Sequence, residues 1–147
     1  MRVLIDADGC PVVQLAVQCA KRHGVAVTLV CDSAHWFDLP DVETITVPKG
    51  AASTDFRFVN MLHAGDVVVT QDYGLAAMAL ARRAHVLNQS GLIYTDENID
   101  SLLLARHTSR KLRNAGVRMK GPSKRTKEQD EAFLSAFERL LSSRDFN

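Results

Sequence analysis

The sequence predicts an α/β domain, and three observations carry that prediction. Short apolar runs, Val3-Leu4-Ile5, Val25–Cys31 and Val67-Val68-Val69 among them, alternate with stretches whose apolar residues recur at helical spacing. Each of these runs is followed by a turn rich in acids or glycine. A chain of 147 residues is enough for one domain with a proper core. The expected architecture is a three-layer domain over residues 1–147, a mainly parallel central sheet flanked by helices, with a basic helical segment from about residue 102 to 147.

The elements follow in order. Arg2–Asp6 reads as a buried strand, Gly9 as a tight turn, and Pro11–His23 as a helix with Val12, Val13, Leu15, Ala16, Cys19 and Ala20 on its apolar side. Gly24 stops that helix. Val25–Cys31 is a second strand, Asp32–Leu39 a loop and Glu43–Val47 an alternating strand. Ser53 or Thr54 caps a helix to His63 that buries Phe56, Val59 and Met61 or Leu62. Val67–Thr70 is a strand, Gln71-Asp72-Tyr73-Gly74 a turn, and Leu75–Ala84 an alanine-rich helix. His85–Asn88 and Leu92-Ile93-Tyr94 are short strands around a Gln89-Ser90-Gly91 turn. Asp96–Asn114 is a long helix, and Gly116 to Pro122 a mobile loop. Thr126-Lys127-Glu128-Gln129 fits a capping box opening a last helix, with Phe133, Leu134, Phe137, Leu140 and Leu141 at helical spacing.

Composition narrows the class. No apolar run approaches the roughly 20 residues of a membrane span, and the N-terminus lacks the pattern of a signal peptide. Cys10, Cys19 and Cys31 are odd in number and without Cys-x-x-Cys spacing, which argues against a disulfide framework and a zinc knuckle. A cytoplasmic setting is expected. Net charge is only +1, but nine Lys or Arg and no acid fall between Leu102 and Lys127, whereas most acids lie in the first hundred residues. An acidic cluster beside a basic segment suits a polyanion held by one and processed at the other.

The acids that follow strands or begin helices are the candidate chemistry. Asp6 and Asp8 follow the first strand, Asp72 the Val67–Thr70 strand, and Asp55 falls in the first turn of the helix after the third strand. Asp96, Glu97 and Asp100 open the long helix. In a parallel sheet all these strand ends emerge on one edge, where ligands bind. Two acids crowded beside a buried strand end call for a cation, water or a shared proton. Oxygen-only ligands favour Mg²⁺ or Mn²⁺, the metals of phosphodiester hydrolysis. Asp6, Asp8, Asp55 and Asp72, with Glu97 as a further ligand, form the candidate set. Taken singly, Asp55 and Asp96 also suit the helix dipole, and Asp66 and Asp72 also read as turn residues.

Candidate phosphate contacts are Lys49, Arg57, Arg106, Arg110, Lys111, Arg113, Lys124 and Arg125, each of which also reads as solvated charge. Cys10 lies near a helix start, which favours a thiolate, although a packed thiol explains it more simply. His35-Trp36-Phe37 is an aromatic loop cluster, for base stacking or for plugging the core.

The spans Asp6-Ala-Asp-Gly-Cys-Pro-Val12, Gly50-Ala-Ala-Ser-Thr-Asp-Phe56, Gly65 to Ala76, Tyr94-Thr-Asp-Glu-Asn-Ile99 and Gly121-Pro-Ser-Lys-Arg-Thr126 resemble the bacterial YaiI/YqxD family over nearly the whole chain. That family looks like a branch of the PIN-like nuclease superfamily, so the resemblance implies a PIN-like fold. The Thr70-Gln-Asp72 turn is similar to the Thr-x-Asp motif of PIN domains, Asp6 falls where their first metal-binding acid lies, and Asp55 roughly where they carry an acid on a helix. Asp8 is additional to that pattern, and Glu97 or Asp100 would fill the place of a fourth acid.

The leading expectation is a Mg²⁺- or Mn²⁺-dependent ribonuclease. A non-catalytic RNA- or ribosome-associated protein is the alternative. A third reading is a phosphatase, because Asp-Ala-Asp-Gly-Cys is similar to the Asp-x-Asp-Gly-Thr motif of haloacid-dehalogenase-like enzymes. There Asp6 would attack phosphorus and Asp8 act as general acid.

Overall fold

A computed structural model describes residues 1–32, 39–48, 51–118 and 123–143, with the backbone alone for 51–54. His35-Trp36-Phe37 and Lys49 lie outside the described residues, as does part of the expected loop before Thr126. Six strands form one sheet: β1 (Arg2–Asp6), β2 (Ala26–Asp32), β3 (Glu43–Val47), β4 (Val67–Val69), β5 (His85–Leu87) and β6 (Ile93–Tyr94). Their order is β3-β2-β1-β4-β5-β6. The first five pair in parallel, and β6 runs antiparallel to β5. The helices are α1 (Val13–Arg22), α2 (Ala51–Asn60), α3 (Tyr73–Ala81), α4 (Asp96–Asn114) and α5 (Lys127–Ser142).

Strand alternation sends neighbouring side chains to opposite faces. Val3, Ile5, Val67 and Val69 pack with α1 and α5 residues such as Ala16, Ala20, Phe133 and Phe137. Leu4 and Val68 point the other way, against Phe58 of α2, Leu75 and Ala76 of α3 and Ile99 of α4. The sheet is therefore covered on both faces, as continuous apolar strands require. β1 lies between β2 and β4, so the chain leaves it in both directions, and a crevice opens at its carboxyl end.

The structure departs from the sequence reading at particular places. α1 begins at Val13, because the chain from Ala7 makes a turn closed by Cys10 N–H donating to Ala7 O, and Val12 is its cap. α2 begins at Ala51, so Asp55 is its fifth residue and not a first-turn acid. α2 ends at Asn60 and buries Phe58 and Val59, Leu62 just beyond it is also buried, and Phe56 is exposed. The expected Gln71–Gly74 turn is already the start of α3, with Asp72 as its cap. Thr95 and Thr126 form full capping boxes at α4 and α5, as their spacing suggests.

Asp66 is a buried anchor and not a simple turn residue. Its carboxylate accepts from the Arg2 amide at 3.0 Å, the Arg2 guanidinium at 3.3 Å and the His63 amide at 2.9 Å. Arg2 also donates to Met61 O. Gly91 (φ +87°) lies so close to α5 that a Cβ there would be 2.5 Å from Ala132 O. Among the described residues no helix is long and apolar enough to cross a membrane.

Candidate functional site

The carboxyl ends of β1 and β4 carry the acids. Asp6 shares the parity of Leu4, so it leans toward the α3 and α4 side of the sheet. Its Oδ2 accepts from the Thr70 hydroxyl at 2.8 Å. The same hydroxyl accepts from the Asp72 amide at 3.0 Å. Tyr94 donates its phenol hydroxyl to Thr70 O at 3.3 Å, fixing the backbone from below. Asp8 lies one turn further on, where its Oδ2 accepts from the Asp32 amide at the end of β2. Gln71 Nε2 donates to Gly9 O at 2.9 Å and ties the β1 and β4 loops together.

Asp72 caps α3, its Oδ1 accepting from Gly74 N–H at 2.8 Å and Leu75 N–H at 3.2 Å. Arg106 of α4 reaches the same oxygen at 3.5 Å. Asp6, Asp8, Asp72, Arg106 and Arg113 together line a cavity of about 500 Å³. Tyr73 stands at the junction with an adjoining groove of about 340 Å³, lined by Ser109, Arg106, Arg110 and Arg113. The Tyr73 ring is held edge-on by Tyr94, with centroids 5.9 Å apart.

Electrostatics mark the edge as crowded with negative charge. The Asp6 carboxyl is pushed up to about 6 from 3.8, first by burial and then by Asp72, Asp8 and Asp55, against the opposing Thr70 hydrogen bond. Asp55 is also raised, by burial and by Asp72, with Arg106 drawing it down. Asp55 thus feels the cavity's charges without being among its lining residues. The Cys10 thiol is pushed up, chiefly by burial, which matches a packed thiol rather than a ready nucleophile.

Glu97 does not line the cavity. Because β6 runs antiparallel, the chain leaves it heading away from the Asp6 edge, and Glu97 sits exposed in the first turn of α4. α4 then returns toward the edge and delivers Arg106 nine residues later. Lys111, Arg57 and Lys124 are exposed on α4, on α2 and before α5. Arg125 donates to Gln89 O at 2.6 Å and to Asp130 at 2.8 Å, clasping the β5–β6 turn to α5. Sequence reasoning missed the bridging part of Thr70 and the place of Tyr73. The signal for the first was the Thr70-Gln-Asp72 turn itself.

The comparisons with known proteins agree with one another. The family model described as "Uncharacterized BCR, YaiI/YqxD family" matches residues 4–143. A UPF0178 protein of Exiguobacterium sibiricum is 49% identical over 144 residues, 98% of this chain and 99% of the relative. A UPF0178 protein of Clostridium acetobutylicum is 46% identical over 143 residues, 96% of this chain and 97% of the relative. One from Ruminiclostridium cellulolyticum is 48% identical over 136 residues, covering 92% and 89%. No solved structure matches the chain. A model match over almost the full length, with near-half identity to relatives of the same length, makes this chain a member of the YaiI/YqxD family.

Proposed function

We propose that the chain is a PIN-like, metal-dependent nuclease acting on RNA. One observation carries the reading: Asp6, Asp8 and Asp72, from two separate strand ends, share a cavity with Arg106 and Arg113. A phosphodiester needs an acidic wall for a cation and a basic wall for its phosphates. The donor set is all carboxylate oxygen, which suits Mg²⁺ or Mn²⁺. Burial first, and then repulsion from Asp72, Asp8 and Asp55, raises Asp6, and a divalent cation would relieve that repulsion. Asp6, Asp8 and Asp72 would hold the ion, with Asp55 as a further ligand or the group that orients water. Bound there, Mg²⁺ or Mn²⁺ would supply Lewis acidity toward a phosphoryl oxygen and water.

The chain's own residues do the rest. Thr70 orients Asp6, and the Asp72 cap bonds fix that carboxylate against α3. Arg106 and Arg113 take phosphate oxygens, and Arg110 extends the path along the groove. The test is cleavage of labelled RNA with Mn²⁺. Asp6→Asn and Asp72→Asn are expected to lose cleavage while keeping RNA affinity, and EDTA to stop the wild type. Cleavage that survives either treatment would overturn the reading.

A second reading has a specific observation behind it. Asp72 Oδ1 is already committed to two backbone amides and Arg106, and Asp8 Oδ2 to the Asp32 amide. A site whose oxygens are partly engaged suits an RNA-binding protein without catalysis. Salt-steep, metal-independent RNA binding with no cleavage would favour it.

A further inference from the structure

The far end of α1 carries a different group of metal-binding side chains. Cys19 and His23 are four residues apart, which places them on one face of the helix end. α5 packs across that face and presents Glu138. One ligand atom from each of Cys19, His23 and Glu138 can be chosen so that all lie within 4.8 Å of one another. The Cys19 thiol already donates to Glu138 Oε1 at 3.8 Å. Zinc bonds of about 2.3 Å to sulfur and about 2.0 Å to nitrogen and oxygen set tetrahedral ligand atoms roughly 3.5 Å apart. The three atoms therefore need to close by no more than about 1.3 Å, which the rotatable Glu138 side chain can supply.

We propose that Cys19, His23 and Glu138 form a zinc site that staples α1 to α5. Three protein ligands leave a fourth position toward solvent, where Glu138 is half-exposed. Thiolate with imidazole and carboxylate selects zinc over magnesium or manganese, which prefer oxygen alone. On binding, the Cys19 thiol loses its proton to solvent, and the sulfur lone pair forms the bond to zinc. In the zinc-free chain Arg22 occupies the carboxylate, at 3.5 Å from Glu138 Oε1. The Arg22 side chain is 60% exposed, so it can swing aside into water. The site is independent of the nuclease reading. Asp8 and Cys10 precede the start of α1, and Cys19 to His23 close its end, about 15 Å along the axis.

The test is metal titration of the full chain after EDTA treatment and removal of the chelator. With Co²⁺ as the probe, one equivalent is expected to give a near-ultraviolet thiolate-to-cobalt charge-transfer band. Cys19→Ser should abolish the band, while Cys10→Ser and Cys31→Ser keep it. His23→Gln and the exposed Glu138→Gln, neither of which alters the core, should each weaken Zn²⁺ binding at least about tenfold, the effect of losing a ligand or its support. Zn²⁺ should also raise Tm in an Asp6→Asn/Asp72→Asn double variant, where the acid edge is disabled. No band, a band that survives Cys19→Ser, or unchanged Zn²⁺ affinity in Glu138→Gln would overturn the proposal. The group would then be a thiol–carboxylate hydrogen bond beside an Arg22 ion pair.

Discussion

The Thr70 hydroxyl hydrogen-bonds Asp6 Oδ2 at 2.8 Å, joining the ends of two strands that are 64 residues apart in the chain. Because the Thr70 hydroxyl oxygen also accepts from the Asp72 amide, one buried hydroxyl sets the position of both acids.

Thr70→Val keeps the shape and removes the hydroxyl. Asp6 loses the one interaction that lowers its pKa, so its carboxyl should titrate above the wild-type value of about 6. The Asp72 amide loses its acceptor, at a cost of about 1–2 kcal/mol. Carboxyl-carbon NMR titration and urea unfolding check both effects, and Thr70→Ser should restore them.

Asp6 itself makes stability depend on pH in a direction that can be worked out. Its folded pKa is raised, so the folded chain holds the proton more tightly than the unfolded chain. The stability it contributes is full below about pH 4, declines as pH rises, and is lost once pH passes its folded value of about 6. Asp6→Asn removes this penalty. In metal-free buffer it should match the wild type near pH 4 and exceed it by about 1–2 kcal/mol above pH 7, allowing for solvent screening. Urea midpoints at three pH values decide it.

Arg106 and Arg113 face the cavity, whereas the Arg125 guanidinium is engaged by Gln89 O and Asp130. Arg106→Gln and Arg113→Gln should each weaken RNA binding and reduce the slope of log affinity against log salt by about 1. Arg125→Gln should leave that slope unchanged and lower stability by about 1–3 kcal/mol. Fluorescence anisotropy over a salt series separates the two outcomes.

Gly91→Ala places a methyl group against the Ala132 carbonyl at a backbone angle that favours glycine. The β5–β6 turn and α5 must part, so the substitution should cost about 2 kcal/mol or more. RNA affinity of the folded fraction should not change, because Gly91 is not among the residues that line the acid cavity. Thermal unfolding with a binding assay on the same sample checks both.

Much of the fold is written locally. β1 and β4 are apolar runs too short for helices, and Thr95 and Thr126 carry their cap partners three residues on. Those signals depend only on near neighbours. Asp72 as a cap was hidden because Gln-Asp-Tyr-Gly also spells a turn, and tertiary packing extends α3 back to Tyr73. Val59 and Leu62 are buried as expected, but Phe58 takes the place expected for Phe56, because the sheet, not the helix, chooses which of the two aromatics enters the core. At the site, Asp6 and Asp8 were legible because acids beside a buried strand are costly. The place of Glu97 hung on the direction of β6, a two-residue strand whose pairing no periodicity reveals. The approach of Arg106 to Asp72 across 34 residues was equally out of reach.

The attachment of α4 sets a mechanical asymmetry across the cavity. Ile99 is its one buried residue among those described, Leu102 and Leu103 lean on the core, and nearly everything beyond is in water. The acids are rooted in the sheet, but the arginines ride the outer half of a beam clamped at one end. Arg106 and Arg113 sit two turns apart, about 10 Å along that beam, and any tilt moves them together. The helix thus fixes the spacing of the positive charges, and Arg106 meets the acid edge through its 3.5 Å contact with Asp72. On the RNA reading proposed above, such a geometry would gauge a polyanion by its charge repeat.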